Sequence, residues 1–124
     1  MATIKSYTDI SQSKKLAEIL PIESADMYYE EVCNLPKAIV GNYILHNQCM
    51  EDKDYKKLSN PVLSPAWSLT ALLSVLPDYT LQTNTDGTVF VVCESKKPMM
   101  SDAYNNSVDA CVAMIEKLHK LKML

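Results

Sequence analysis

The sequence contains no arginine: all twelve basic residues are lysines. Arginine's planar fork grips phosphate, carboxylate or guanine at two points at once. Its absence, with a net charge of only −3, argues against specific reading of nucleic acid and against an anionic membrane as partner. Glycine is nearly absent as well. With only Gly41 and Gly87 in the chain, no glycine-rich loop can cradle a phosphate, and neither G-x-x-x-x-G-K nor G-x-G-x-x-G occurs. H-E-x-x-H and G-x-S-x-G are missing too. Cys33, Cys49, Cys93 and Cys111 include no C-x-x-C pair, and Met1-Ala2-Thr3-Ile4-Lys5-Ser6 opens no apolar signal region. The expected setting is a reducing cytoplasm with free thiols.

Charge is also missing from one long stretch, Leu58 to Pro77. Pro61, Pro65, Asn60 and the hydroxyl residues interrupt it, which leaves a helix of about twelve residues, too short for ~30 Å of hydrocarbon. The stretch Ser64 to Pro77 reads as the helix around which the fold is organised. Ser64 suits the N-cap, Pro65 the first helical position, and Pro77 ends the helix near Leu76. Leu69, Leu72, Leu73 and Leu76 share one face, and Trp67, Ala71 and Val75 another.

At 124 residues, 48% of them hydrophobic, the chain is expected to form a single domain over residues 1–124. Thr8 or Ser11 caps a first helix running to Leu20, before Pro21. Its apolar side is drawn by Ile10, Ser13, Leu16, Ala17, Ile19 and Leu20. Glu18, Glu23, Asp26, Glu30 and Glu31 follow with no basic residue among them, around a short strand at Met27-Tyr28-Tyr29. Ala38 to Leu45 reads as a strand, and Asn47 to Asn60 as a polar loop. Tyr79 to Asn84 and Thr88 to Glu94 form a hairpin about Asp86-Gly87, a type I′ signal. Apolar residues on both faces place the second strand inside its sheet. Asn106 or Ser107 caps the last helix. Val108, Cys111, Val112, Ile115 and Leu118 make its stripe, which Met114 and Leu121 widen. The fold class is therefore α+β, with one antiparallel sheet of three or four strands, about three helices, and the helix near 65–76 central.

Four segments carry a resemblance. They are Tyr7 to Pro21 (YTDISQSKKLAEILP), Glu23 to Met27 (ESADM), Pro65 to Leu73 (PAWSLTALL) and Ser107 to Ile115 (SVDACVAMI). Together they resemble a family of small uncharacterised proteins of bacteriophages and prophages of gut bacteria. The resemblance implies a phage-related origin and a cytoplasmic setting in the host cell, and it implies no activity. It does not extend to residues 33–60, the region where a function particular to this chain would sit.

The sequence offers few chemical constellations. Cys33, His46 and Cys49 are the one metal-like grouping, but zinc in a structural site needs a fourth ligand that no spacing supplies. A Cys/His nucleophile pair would need His46 or His119 brought to a thiol, and Cys93 and Cys111 read better as small core residues. Glu30 and Glu31 are neighbours on a strand and point to opposite sides, so they would not converge on one substrate atom. The expectation is a non-enzymatic protein-binding module without cofactor, able to self-associate, with neither nucleic acid nor membrane as partner. Glu23, Asp26, Glu30, Glu31 and Tyr55 are its partner-binding candidates. The alternative is a small-ligand protein or enzyme with its site near Cys33, His46 and Cys49.

Overall fold

The computed structural model describes residues 5–31, 43–49, 63–94 and 98–124. The α+β class holds: the described residues form three α-helices and antiparallel three-stranded sheets. The strands of the two halves do not join one sheet, the simplest pairing that their order allowed. They divide into two sheets, which belong to two units, Asp9–Trp67 and Met1–Thr8 with Ser68–Leu124.

In the unit Asp9–Trp67, helix α1 (Ile10–Ala17) starts at a capping box. Asp9, not Thr8 or Ser11, is the cap. Its carboxylate accepts from the Gln12 backbone N–H at 2.8 Å, and the Gln12 side chain accepts in return from the Asp9 N–H at 3.1 Å. Leu16 and Ser13 are buried while Ala17 is exposed, so the buried side is narrower than expected. A 3-10 turn, Ile22–Ser24, leads into β1 (Met27–Glu31).

The short strand near Met27 turns out to be the middle of its sheet. β2 (Tyr43–His46) pairs with one edge of β1 and β3 (Leu63–Ala66) with the other. Met27 and Tyr29 on one face form a cluster with Ala66, and Ile10, Tyr43 and Leu45 pack against it. Tyr29 and Tyr43 meet edge to face at 6.3 Å, a favoured aromatic geometry.

Ser64 and Pro65 do not open the central helix; they lie in β3. Proline cannot donate to a ladder, and among the described residues β3 is an edge strand, where proline is tolerated. Trp67 follows β3 and is fully buried; its indole Nε1–H donates to Ser24 Oγ at 2.9 Å.

In the second unit, Ser68 is the cap of helix α2 (Leu69–Val75), accepting from the Ala71 N–H at 3.2 Å. Lys5 to Thr8 are part of this unit. The Leu69 N–H donates to the Ser6 carbonyl at 3.0 Å, Tyr7 bridges Ser68, and Thr8 is fully buried. β4 (Tyr79–Thr83) and β5 (Val89–Cys93) form the hairpin, and β5 lies between β4 and β6 (Met99–Met100).

The hairpin turn is not type I′, which needs positive φ at both central residues. Only Gly87 has positive φ, at 89°, and its N–H donates to the Asn84 carbonyl at 3.0 Å. This is a type I turn closed by a left-handed glycine. Asp86 braces it by accepting from the Thr88 N–H at 2.9 Å and the Thr88 hydroxyl. Those two bonds hold the Asp86 carboxyl below its usual pKa.

Helix α3 (Ser107–Lys120) is capped by Asn106, whose side-chain oxygen accepts from the Asp109 N–H at 2.8 Å. Val108, Cys111, Val112, Met114, Ile115 and Leu118 are buried, and α3 packs on β5 and α2. Leu121 is outside this stripe and half exposed, because the helix has already ended at Lys120. Among the described residues no helix is long and apolar enough to cross a membrane.

Candidate functional site

The register of β1 on β2 sets Tyr28 opposite His46 and Glu30 opposite Ile44. Tyr28, Glu30 and His46 therefore share the face of the first sheet opposite to the Met27–Tyr29 cluster. His46 stacks on the Tyr28 ring, with centroids 4.6 Å apart and planes 14° from parallel. His46 Nε2 lies 3.3 Å from Glu30 Oε1. Their side chains keep 32% and 44% of their exposure, so water screens the pair. The arrangement orients an imidazole beside a carboxylate. To act on a substrate, such an imidazole must come within hydrogen-bond reach of the reacting proton.

The other acidic candidates do not gather here. Glu31 lies on the opposite face from Glu30, Glu23 is exposed in the 3-10 turn, and Asp26 is half-buried just before β1. Tyr55 and Cys33 lie outside the described residues. Cys49 is exposed, three residues beyond His46. Among the described residues, no three His, Cys, Asp or Glu side chains are grouped so as to hold a metal ion.

Cys93 and Cys111 are both free and buried, on β5 and on the β5-facing helix α3. Burial pushes both thiols up. Cys111 rises to about 12, with Cys93 adding to the effect, and the Asp78 charge adds to that of Cys93. A nucleophilic thiol needs its thiolate, so burial makes these two inert at neutral pH.

Sequence reasoning missed that, among the described residues, β4 is an edge strand. Two bonds at the ends of the hairpin fix how its backbone is turned. The Asn84 N–H donates to Thr88 at 2.8 Å, and the Asp78 carbonyl accepts from Glu94 at 3.0 Å. Backbone groups alternate in direction along an antiparallel strand. Thr80 and Gln82 therefore turn theirs toward β5, while Tyr79, Leu81 and Thr83 turn theirs outward. Among the described residues no strand pairs with that outer edge.

β4 has no charge, no proline and no bulge, the usual devices that blunt an edge. All its residues except Leu81 are exposed. On the outer face of this sheet β4 contributes Thr80 and Gln82, beside Phe90 and Val92 of β5. The uncharged composition of Tyr79 to Thr83 was the available signal, although edge position itself depends on which strands pair elsewhere. No protein-family model, curated protein or solved structure matches this chain.

Proposed function

We propose that this chain is a non-enzymatic protein-binding module of phage or prophage type, acting in the cytoplasm by accepting a partner's strand along β4. One observation carries the reading: an uncharged edge strand presents the outward backbone groups of Tyr79, Leu81 and Thr83 with no described strand paired to them. Such an edge supplies main-chain hydrogen bonds, and flanking side chains supply selectivity. The reading moves the docking surface from the acidic run to the hairpin, since Glu30 and Glu31 leave β1 on opposite faces.

Amide exchange and one variant test it. In dilute solution the amides of Tyr79, Leu81 and Thr83 should exchange much faster than those of Thr80 and Gln82. Thr83→Pro removes one outward N–H while leaving the bonds to β5 in place. Native mass spectrometry of protein recovered gently from its own cell should show a bound protein on the original chain and none on the variant. Equal retention by both, or turnover of a substrate by the purified chain, would sink the reading.

A further inference from the structure

We propose that β4 accepts a second copy of itself, paired antiparallel about a two-fold axis through Leu81. The inference rests on the strand-docking reading above and names its occupant.

Tyr79, Leu81 and Thr83 are the outward-turned residues. Centring the pair on Leu81 sets Leu81 against Leu81 and Tyr79 against Thr83, so every outward N–H faces an outward carbonyl. Centring it on Thr80 or Gln82 would also face outward groups with outward groups, but would set Thr83 against Pro77 or Tyr79 against Thr85, beyond the strand. A pair centred on Leu81 overlaps all five residues of β4, which selects Leu81 as the centre of an isologous pair.

The side chains agree with that register. Tyr79 opposite Thr83 is an aromatic on a β-branched residue, a favourable cross-strand pair. Leu81 meets its own copy, and Thr80 faces Gln82. Beyond the strand ends, Asp78 faces Asn84, so no like charges meet along the interface. Tyr79, 42% exposed in the single chain, gains cover from the partner on the face it shares with Val91 and Cys93. A single pair of five-residue strands buries little area, so the association depends on concentration.

A charge exchange tests the partner. Thr80 and Gln82 are exposed and turn their side chains from the face that packs on α3, so substitution there spares the core. In the proposed register residue 80 of one copy lies beside residue 82 of the other. One variant carries Thr80→Lys with Gln82→Lys, and the other carries Thr80→Glu with Gln82→Glu. Each alone places like charges opposite each other twice and should weaken the dimer by about tenfold. An equimolar mixture should form the mixed dimer at least as tightly as the original chain forms its own.

Sedimentation velocity across a concentration series reads all three, with circular dichroism checking that each variant folds. A chain that stays monomeric up to about 1 mM overturns self-pairing. So does a dimer indifferent to both variants, or a mixture that fails to recover. Amide exchange then separates the two proposals. If the chain is monomeric and the amides of Tyr79, Leu81 and Thr83 exchange freely, self-pairing falls and the strand-docking reading stands. If those amides are protected in the dilute monomer, the edge is closed and both fall.

Discussion

Cys49, Cys93 and Cys111 carry the same thiol, yet among these three only Cys49 reaches solvent. Burial decides the chemistry of the other two, because a thiolate in an apolar core loses its hydration and finds nothing to replace it. The consequence for stability has a definite sign. An unfolded thiol ionises near 9.0, whereas folded Cys111 does so at about 12. Between those values the unfolded chain releases a proton that the folded chain keeps. The stabilisation is full below about pH 9 and is lost as pH rises toward 12. Urea midpoints measured from pH 8 to pH 11 should fall for the original chain and fall less steeply for Cys111→Ala. Lysine and tyrosine titrate in both proteins, so the difference in slope isolates the thiol. Equal slopes would mean that Cys111 is not held in its neutral form by the core.

At the scale of an element, the ends matter more than the middles. Helix α3 closes on Lys122, which stands at φ 59° in the left-handed region. The Met123 N–H donates to the Leu118 carbonyl at 2.8 Å and the Lys122 N–H to the His119 carbonyl at 3.0 Å, the two bonds of a Schellman motif. Glycine is the usual residue at that position, because a β-carbon is crowded there. Lys122→Gly should therefore stabilise the protein by about 0.5–1 kcal/mol, read as a higher urea midpoint at unchanged slope. A destabilisation would show that the lysine makes up for its backbone strain elsewhere.

The same scale explains what the sequence disclosed. The β4–β5 hairpin and helix α3 were legible because a turn signal, a cap and a periodic stripe are local. β3 was not, since Ser64-Pro65 carries the chemistry of a helix start as well as of an edge strand. β1 was visible as a short strand, but its central place depends on partners at 43–46 and 63–66. The pairing of Glu30 with His46 and, among the described residues, the edge position of β4 are consequences of register and sheet order. Neither is written in any contiguous run of residues.

For the molecule as a whole, the chain's early residues are built into the unit formed by its second half. Lys5 to Thr8 precede α1 in sequence but belong with Ser68–Leu124. Three kinds of contact attach them. The Ser6 carbonyl accepts from the Leu69 N–H at the start of α2, Tyr7 forms an antiparallel bridge with Ser68, and the Lys5 ammonium lies 2.8 Å from the Asp109 carboxylate on α3. They do not contribute equally. The Lys5 and Asp109 side chains keep 24% and 30% of their exposure, so that ion pair is partly screened and Lys5→Ala should cost less than about 1 kcal/mol. Fully buried Thr8 and the backbone bond to Leu69 are different, because their loss opens core and leaves a helix-start N–H to water. Deleting residues 1–8 should therefore cost about 2–3 kcal/mol. It should also speed amide exchange in α2 and α3, while Lys5→Ala leaves that exchange nearly unchanged. Similar small effects from both changes would mean that the segment only lies along the unit, and that Ser68–Leu124 closes its core without it.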